Sequence, residues 1–204
     1  MAGKESWDSP QVKNVFTHWQ QLLPYYSQGA LGLTWEEGAQ QLVKKQAGMY
    51  LLGSFVGQQA TNAADHADLD FFAYPEINSK WGQDSIDAPI DGFLMSRKAK
   101  NKTGAKQLLT FLGSAQAENI YLKSDSNDVA TNKQATPKYN ALQKKSAQLI
   151  AGAKHIAQYM DRDTRPDFAS TVMIPALQQF LNNPNDVDGL VKSIQKQKKS
   201  IFGS

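Results

Sequence analysis

At 204 residues the chain is long enough for one domain, or two small lobes, with a buried core. Its apolar fraction of 41% and charged fraction of 20% are ordinary for a globular protein, and 22 basic against 19 acidic residues leave a formal charge of only +3. That balance, with no basic stripe interleaved with aromatics and no reading motif, excludes nucleic acid as a partner, and the absence of cysteine removes disulfides, thiolate metal sites and cysteine nucleophiles together.

Residues 10–23 place Val12, Val15, Phe16, Trp19, Leu22 and Leu23 at helical spacing, with Ser9 as N-cap and Pro10 in the first turn. Pro24 and Gly29 end that helix. Thr34 opens the next through a T-W-E-E capping box, in which hydroxyl and carboxylate each satisfy an orphan amide. Lys44 and Lys45 suit the negative end of its dipole. The short apolar run 47–52 reads as a buried strand closed by Gly53, with a short helix from Ser54. Residues 68–74 alternate as a second strand, 78–89 read as a loop around Gly82, and 92–96 as a third strand.

The second half is mostly helical. Helices are expected at 103–112, at 114–122 and at 137–154, with a polar connection at 124–134. The polar segment 161–167 leads into a helix over 168–181, which Pro175 should kink or split. Asp186 N-caps a last helix ending near Phe202. Strands separated by helices make the fold class α/β.

The search for chemistry begins with what is missing. There is no G-x-S-x-G elbow, no phosphate loop and no H-E-x-x-H pair. His18, His66 and His155 are far apart and in no ligand spacing, so no metal and no cofactor are implied. Asp65, His66, Asp68 and Asp70 form the one His–carboxylate cluster, which a solvated loop explains more simply than a cation. The sequence gives no reason to expect an enzyme. A glycosidase built on Asp161 and Asp163 would need carboxylates about 5 to 9.5 Å apart facing one space, which residues two apart need not provide.

Three segments carry the remaining possibilities. In Gly53-Ser54-Phe55 a strand runs into a glycine and an aromatic at a helix start, where ligands bind in open α/β sheets. Phe55 there reads equally as a flat face for a sugar ring or as a core residue under the sheet. Asp91-Gly92 either closes a turn or accepts hydrogen bonds from a polyol. Residues 161–168 gather Asp161, Arg162, Asp163, Arg165, Asp167 and Phe168, which read as surface ion pairs with a cap, or as a grip on hydroxyls with a ring to stack. Residues 192–199 are lysine-rich, which reads as a solvated helix face or as a contact for an acidic partner.

In this order and separation, the segments resemble the second half of the bacterial extracellular solute-binding proteins of ABC importers, the maltose-binding-protein-like family. The stretch from Thr34 through Ala47 to Phe55 resembles the family's helix, strand and glycine–aromatic turn. "DGFLMSRKAKN", followed by "GAKQLLTFLGS", resembles its strand–helix unit, and 161–180 resembles the segment returning to the site. The resemblance runs from about residue 9 to residue 202. It implies a periplasmic-binding-protein-like (type II) fold of two lobes closing on a ligand. Residues 9–88 and 138–202 would belong to the carboxy-terminal lobe, and 92–133 would be a strand–helix piece of the amino-terminal lobe.

On that resemblance the ligand-binding residues are Trp35, Gly53, Ser54, Phe55, Asp91, Gly92, Arg162, Asp163, Arg165 and Phe168. Trp35, Phe55 and Phe168 would offer aromatic faces, and the charged groups would take hydroxyls. The implied partners are a carbohydrate, the membrane permease and the missing amino-terminal half. The family begins with a signal peptide, usually for lipoprotein export, and then a complete lobe. Residues 1–8 carry no such signal, and no apolar run approaches the roughly 20 residues of a membrane span. The chain is therefore expected to be an excised part of an extracellular parent and to bind sugar weakly or not at all by itself. The competing expectation is a helical interaction module that uses the basic last helix.

Overall fold

The structure, a computed structural model, describes residues 5–80, 82–124 and 127–203. Parts of the expected start, of the 78–89 loop and of the 124–134 connection therefore lie outside the described residues, at positions 1–4, 81 and 125–126.

In chain order the helices and strands are α1 (Pro10–Leu22), α2 (Trp35–Val43), a 3-10 helix (Ser54–Gln59), α3 (Ala63–Asp68), β1 (Ser85–Asp87), α4 (Lys102–Leu112), α5 (Ala115–Tyr121) and α6 (Ala141–Gly152). They continue as β2 (His155–Ala157), α7 (Met160–Asp163), α8 (Pro166–Phe168), a π turn (Ala169–Met173), α9 (Ile174–Asn182) and α10 (Val187–Phe202). Two short 3-10 turns, Leu23–Tyr25 and Ala30–Gly32, follow α1.

Capping explains most of these boundaries. The Ser9 hydroxyl accepts from the Val12 amide at 3.4 Å, as its place before Pro10 requires. Asn101 and Ser114 cap α4 and α5 in the same way. The α6 helix starts later than expected from Pro137, because Asn140 and Gln143 form a reciprocal capping box. Asp186 accepts from the Gly189 amide at 3.0 Å. A Cβ at Gly189 would stand 2.4 Å from the Asp186 carboxylate, so a larger residue there would make the capping side chain shift.

Pro175 does divide its helix. Its missing N–H cannot complete the ladder one turn back, and the π turn Ala169–Met173 precedes α9, with the proline in its first turn. Ser170 and Thr171 hydroxyls donate to the carbonyls of Pro166 and Asp167 at 2.8 and 2.7 Å.

The chain forms two compact units, 1–34 with 158–204, and 35–157. The first is a helical assembly around one core, in which Phe16, Phe168, Met173, Phe180, Val191 and Ile194 are buried. Phe16, Trp19 and Phe180 meet with centroids 4.8 to 6.4 Å apart. The second unit holds β1 and β2, a two-stranded parallel sheet with Ile86 opposite Ile156.

Three strand expectations fail. Residues 47–52, the stretch after Asp68 up to residue 74, and 92–96 are extended or irregular but form no strand, while β1 lies inside the expected loop. A strand exists only through its ladder, and among the described residues these stretches have no neighbouring strand. Apolar side chains that should turn inward, including Met49, Leu51, Phe72 and Phe93, are exposed. The lobe division expected above asks which half of a larger protein each segment joins, which is a different partition from these two units.

Candidate functional site

The best-built part of the expected site is the start of α2. Trp35 opens that helix, and its ring meets Phe55 of the 3-10 helix edge-on, with centroids 5.1 Å apart and planes at 81°. Phe55 is half-buried, and Trp35 is 36% exposed. Edge-to-face contact is a favoured arrangement of two aromatic rings, and Trp35 keeps part of its surface in solvent while making it. Gly53 stands before the 3-10 helix with extended backbone, and Ser54 at its start is exposed.

Two contacts fix this arrangement. The Gln40 side-chain amide donates to the Gln59 carbonyl at 3.0 Å and to its side chain at 3.2 Å, joining α2 to the 3-10 helix. The Tyr50 hydroxyl donates to the Trp35 carbonyl at 3.4 Å. Its approach depends on Gly38, where an added Cβ would lie 2.9 Å from that hydroxyl. Burial, with the Glu36 carboxylate nearby, raises the Tyr50 phenol above its ordinary 10.0. Sequence reading placed Tyr50 in a strand and overlooked it. The glycine four residues into α2, otherwise unfavourable in a helix, was the one available signal.

Asp91 and Gly92 are exposed in an extended stretch of the same unit. A Cβ at Gly92 would meet open space, so packing does not demand glycine there.

The remaining expected residues belong to the other unit. Arg162 lies in α7 with its guanidinium 5.9 Å from the Tyr159 ring centroid, and Asp163 ends that helix. Arg165 is held by its own neighbourhood. It grips Asp167 through two bonds of 3.0 and 2.5 Å, donates to the Ile201 carbonyl at 2.7 Å, and lies over the Phe202 ring. That carbonyl is in the last turn of α10, so Arg165 serves as a C-terminal cap. The hydrogen bond from Arg165 holds the Asp167 carboxyl below its usual 3.8.

Phe168 requires correction. It was expected to stack on a sugar, but its side chain is 0% exposed. It packs between Trp7 and Phe202 at 5.9 and 5.5 Å, so it is a core anchor with no face to offer a ligand. Periodicity alone does not distinguish a buried aromatic at a helix start from an exposed one.

The carboxylate cluster is likewise engaged. Asp65 accepts from Asn62 at 2.7 Å, Asp68 pairs with Lys45 at 3.1 Å, and Asp70 pairs with Lys145 at 2.6 Å. Among the described residues, no group of three or more His, Asp or Glu side chains is placed to hold a metal, and no helix is long and apolar enough to cross a membrane.

The helix-rich α/β fold with its small sheet is similar to that of a bacterial solute receptor. The likeness extends over 98% of the chain, with a TM-score of 0.92 and 41% identity, to a solved bacterial solute receptor, AcbH, described as having an exclusive preference for β-D-galactopyranose. An uncharacterized ABC transporter extracellular-binding protein of Pyrococcus horikoshii is 25% identical over 119 residues, which is 58% of this chain and 26% of that protein. The chain spans about half the length of the solved receptor, 52%. No protein-family model matches it.

Proposed function

We propose that this chain forms part of the sugar cleft of an ABC importer's substrate-binding component, acting by non-covalent capture with no catalytic step. The observation that carries this reading is the edge-to-face pair of Trp35 and Phe55 at the start of a helix. The partly exposed Trp35 offers apolar aromatic surface to a pyranose ring, and first-turn amides donate to its hydroxyls. Ser54, Asp91 and Gly92 supply polar groups and backbone in the same unit.

The galactopyranose preference of the solved receptor, at 41% identity, makes a galactose-type pyranose the first ligand to test. The remaining parts of the proposal are an extracellular, lipid-anchored parent, a permease partner and a complementary amino-terminal half. Closure of two lobes over the sugar would present the liganded form to the permease.

The test is calorimetric titration of galactose into a receptor-length protein carrying this chain. Saturable binding that Trp35→Ala weakens by about tenfold, equivalent to roughly 1.4 kcal/mol, is the expected result. If no saccharide binds, the reading fails. A second reading, a module that contacts an acidic partner, rests on Lys192, Lys196 and Lys199, which are exposed along α10 at i, i+4 and i+7. It gains ground only if an acidic peptide stabilises the protein where sugars do not.

A further inference from the structure

Trp35, Gly38, Ala39 and Leu42 share one face of α2, at i, i+3, i+4 and i+7. Below the tryptophan that face turns inward, with Gly38 and Leu42 half-buried and Ala39 fully buried. Glycine inside a helix is unfavourable relative to alanine, so its presence at 38 calls for a reason. The backbone does not supply one. Among the described residues the glycines with positive φ are Gly29, Gly82 and Gly203, and Gly38 keeps helical backbone.

Space supplies it instead. The three atoms nearest to a Cβ built at Gly38 all belong to Tyr50: the hydroxyl oxygen at 2.9 Å, Cζ at 3.0 Å and Cε1 at 3.4 Å. The phenol therefore lies against α2 one turn below Trp35, where any larger residue would displace it. Burial, with the Glu36 carboxylate nearby, holds the phenol above its ordinary 10.0, so its hydroxyl stays a donor to the Trp35 carbonyl throughout the neutral range. At 3.4 Å that bond is long, which leaves most of the contact to the ring.

We infer that Tyr50 is a positioning residue for the sugar site: its ring, seated on Gly38, fills the notch on α2 below Trp35 and keeps the indole outward against Phe55. This deepens the sugar-cleft reading and rests on it. Helical side chains lean toward the N-terminus, so the indole already tends to overhang the start of α2. With the notch filled it has no inward site to occupy, and it stays 36% exposed with its centroid 5.1 Å from that of Phe55. Gln40 holds the 3-10 helix that carries Phe55 through its two bonds to Gln59, so both walls of the indole are anchored to α2. Tyr50 needs no contact with the sugar for this role.

The experiment uses the receptor-length protein carrying this chain, labelled with fluorotryptophan, with the Trp35 fluorine signal assigned by its loss in Trp35→Phe. Without sugar, Tyr50→Ala should move that signal and reduce its solvent isotope shift, as the indole drops into the vacated notch. Gly38→Ala, which displaces the phenol, should do the same. Tyr50→Phe keeps the ring and should leave the signal near its native position. In galactose titrations, Tyr50→Ala and Gly38→Ala should each weaken binding about five- to tenfold, and Tyr50→Phe less than about twofold. Once Trp35→Ala is in place, Tyr50→Ala should weaken binding no further.

A Trp35 signal that does not respond to Tyr50→Ala overturns the inference. So does an affinity loss that persists undiminished in the Trp35→Ala protein, since Tyr50 would then touch the sugar itself. If Tyr50→Ala fails to fold, Gly38→Ala decides, because alanine favours the helix while it displaces the phenol. Absence of saccharide binding with a Trp35 signal that still responds would sink the sugar reading and leave the placement of Trp35 by Tyr50 standing.

Discussion

The two units of this chain differ in how they close. In residues 1–34 with 158–204, α1, α9 and α10 turn apolar stripes toward one another and bury Phe16, Phe180, Leu190 and Ile194. In residues 35–157 the buried apolar residues, among those described, are Ala39 and Ala60, while Met49, Phe72, Phe93 and Leu94 face solvent. Apart from its capped ends, a helix carries its backbone hydrogen bonds within itself, so a helical unit needs neighbours mainly for its apolar stripe. A strand needs neighbours for both backbone and side chains. The difference separates a unit with a buried aromatic core from one whose extended stretches leave apolar side chains exposed.

The largest expected effect tests that contrast directly. Phe180→Ala should destabilise the protein by about 3 to 5 kcal/mol, the usual cost of emptying a buried aromatic site. Phe180 is 1% exposed and meets both Phe16 and Trp19. Trp35→Ala, at a ring 36% exposed in the other unit, should cost about 1 kcal/mol and act on sugar binding instead. Urea unfolding of both variants measures the ratio. Equal losses would mean that the second unit has a core the present contrast denies it.

A smaller effect is expected at the end of α2. Lys45 adopts φ 60° in the left-handed region, an uncommon position for a side-chain-bearing residue. Its amide bonds the Leu42 carbonyl at 3.0 Å, so the turn is retained as a helix terminator. Lys45→Gly should stabilise by about 0.5 to 1 kcal/mol, because glycine takes this conformation without steric cost and the lost ion pair to Asp68 is exposed. A rise in thermal midpoint checks it. A fall would mean that the Lys45–Asp68 pair outweighs the backbone term.

The sequence carried local structure well and long-range pairing poorly. Ser9, Ser114 and Asp186 identify helix starts because a cap is made within four residues. The same holds for Pro175, whose effect is confined to its own turn. Residues 47–52 and 92–96 read as strands because their apolar character suits one, but what makes a strand is a partner distant in sequence, and none is supplied among the described residues. At the candidate site, the Trp35–Phe55 meeting was not legible at all. It depends on Gln40 reaching Gln59 and on Gly38 admitting Tyr50, neither of which leaves a motif. Phe168 was misplaced for the opposite reason, since its charged neighbours suggested a surface while its own ring lies in the core.

The smallest effect sharpens the view of 165–168 as a structural clamp. Asp167 has its carboxyl held below the usual 3.8, first by the hydrogen bond from Arg165, which together with the Phe168 amide and the guanidinium charge outweighs the opposing desolvation. A carboxyl depressed in the folded state contributes stability that is present above its unfolded value and is lost as pH falls through the folded one. The contribution is therefore complete at neutral pH and disappears only below about pH 3.8, the ordinary value. Arg165→Gln should move the Asp167 carboxyl back toward that value and shift the onset of acid unfolding to higher pH. Carbon-detected magnetic resonance titration of the Asp167 side chain measures the first change, and dichroism against pH the second. If Arg165 instead served mainly to grip a ligand, the variant would alter galactose affinity in the receptor-length protein and leave both acid profiles where they were.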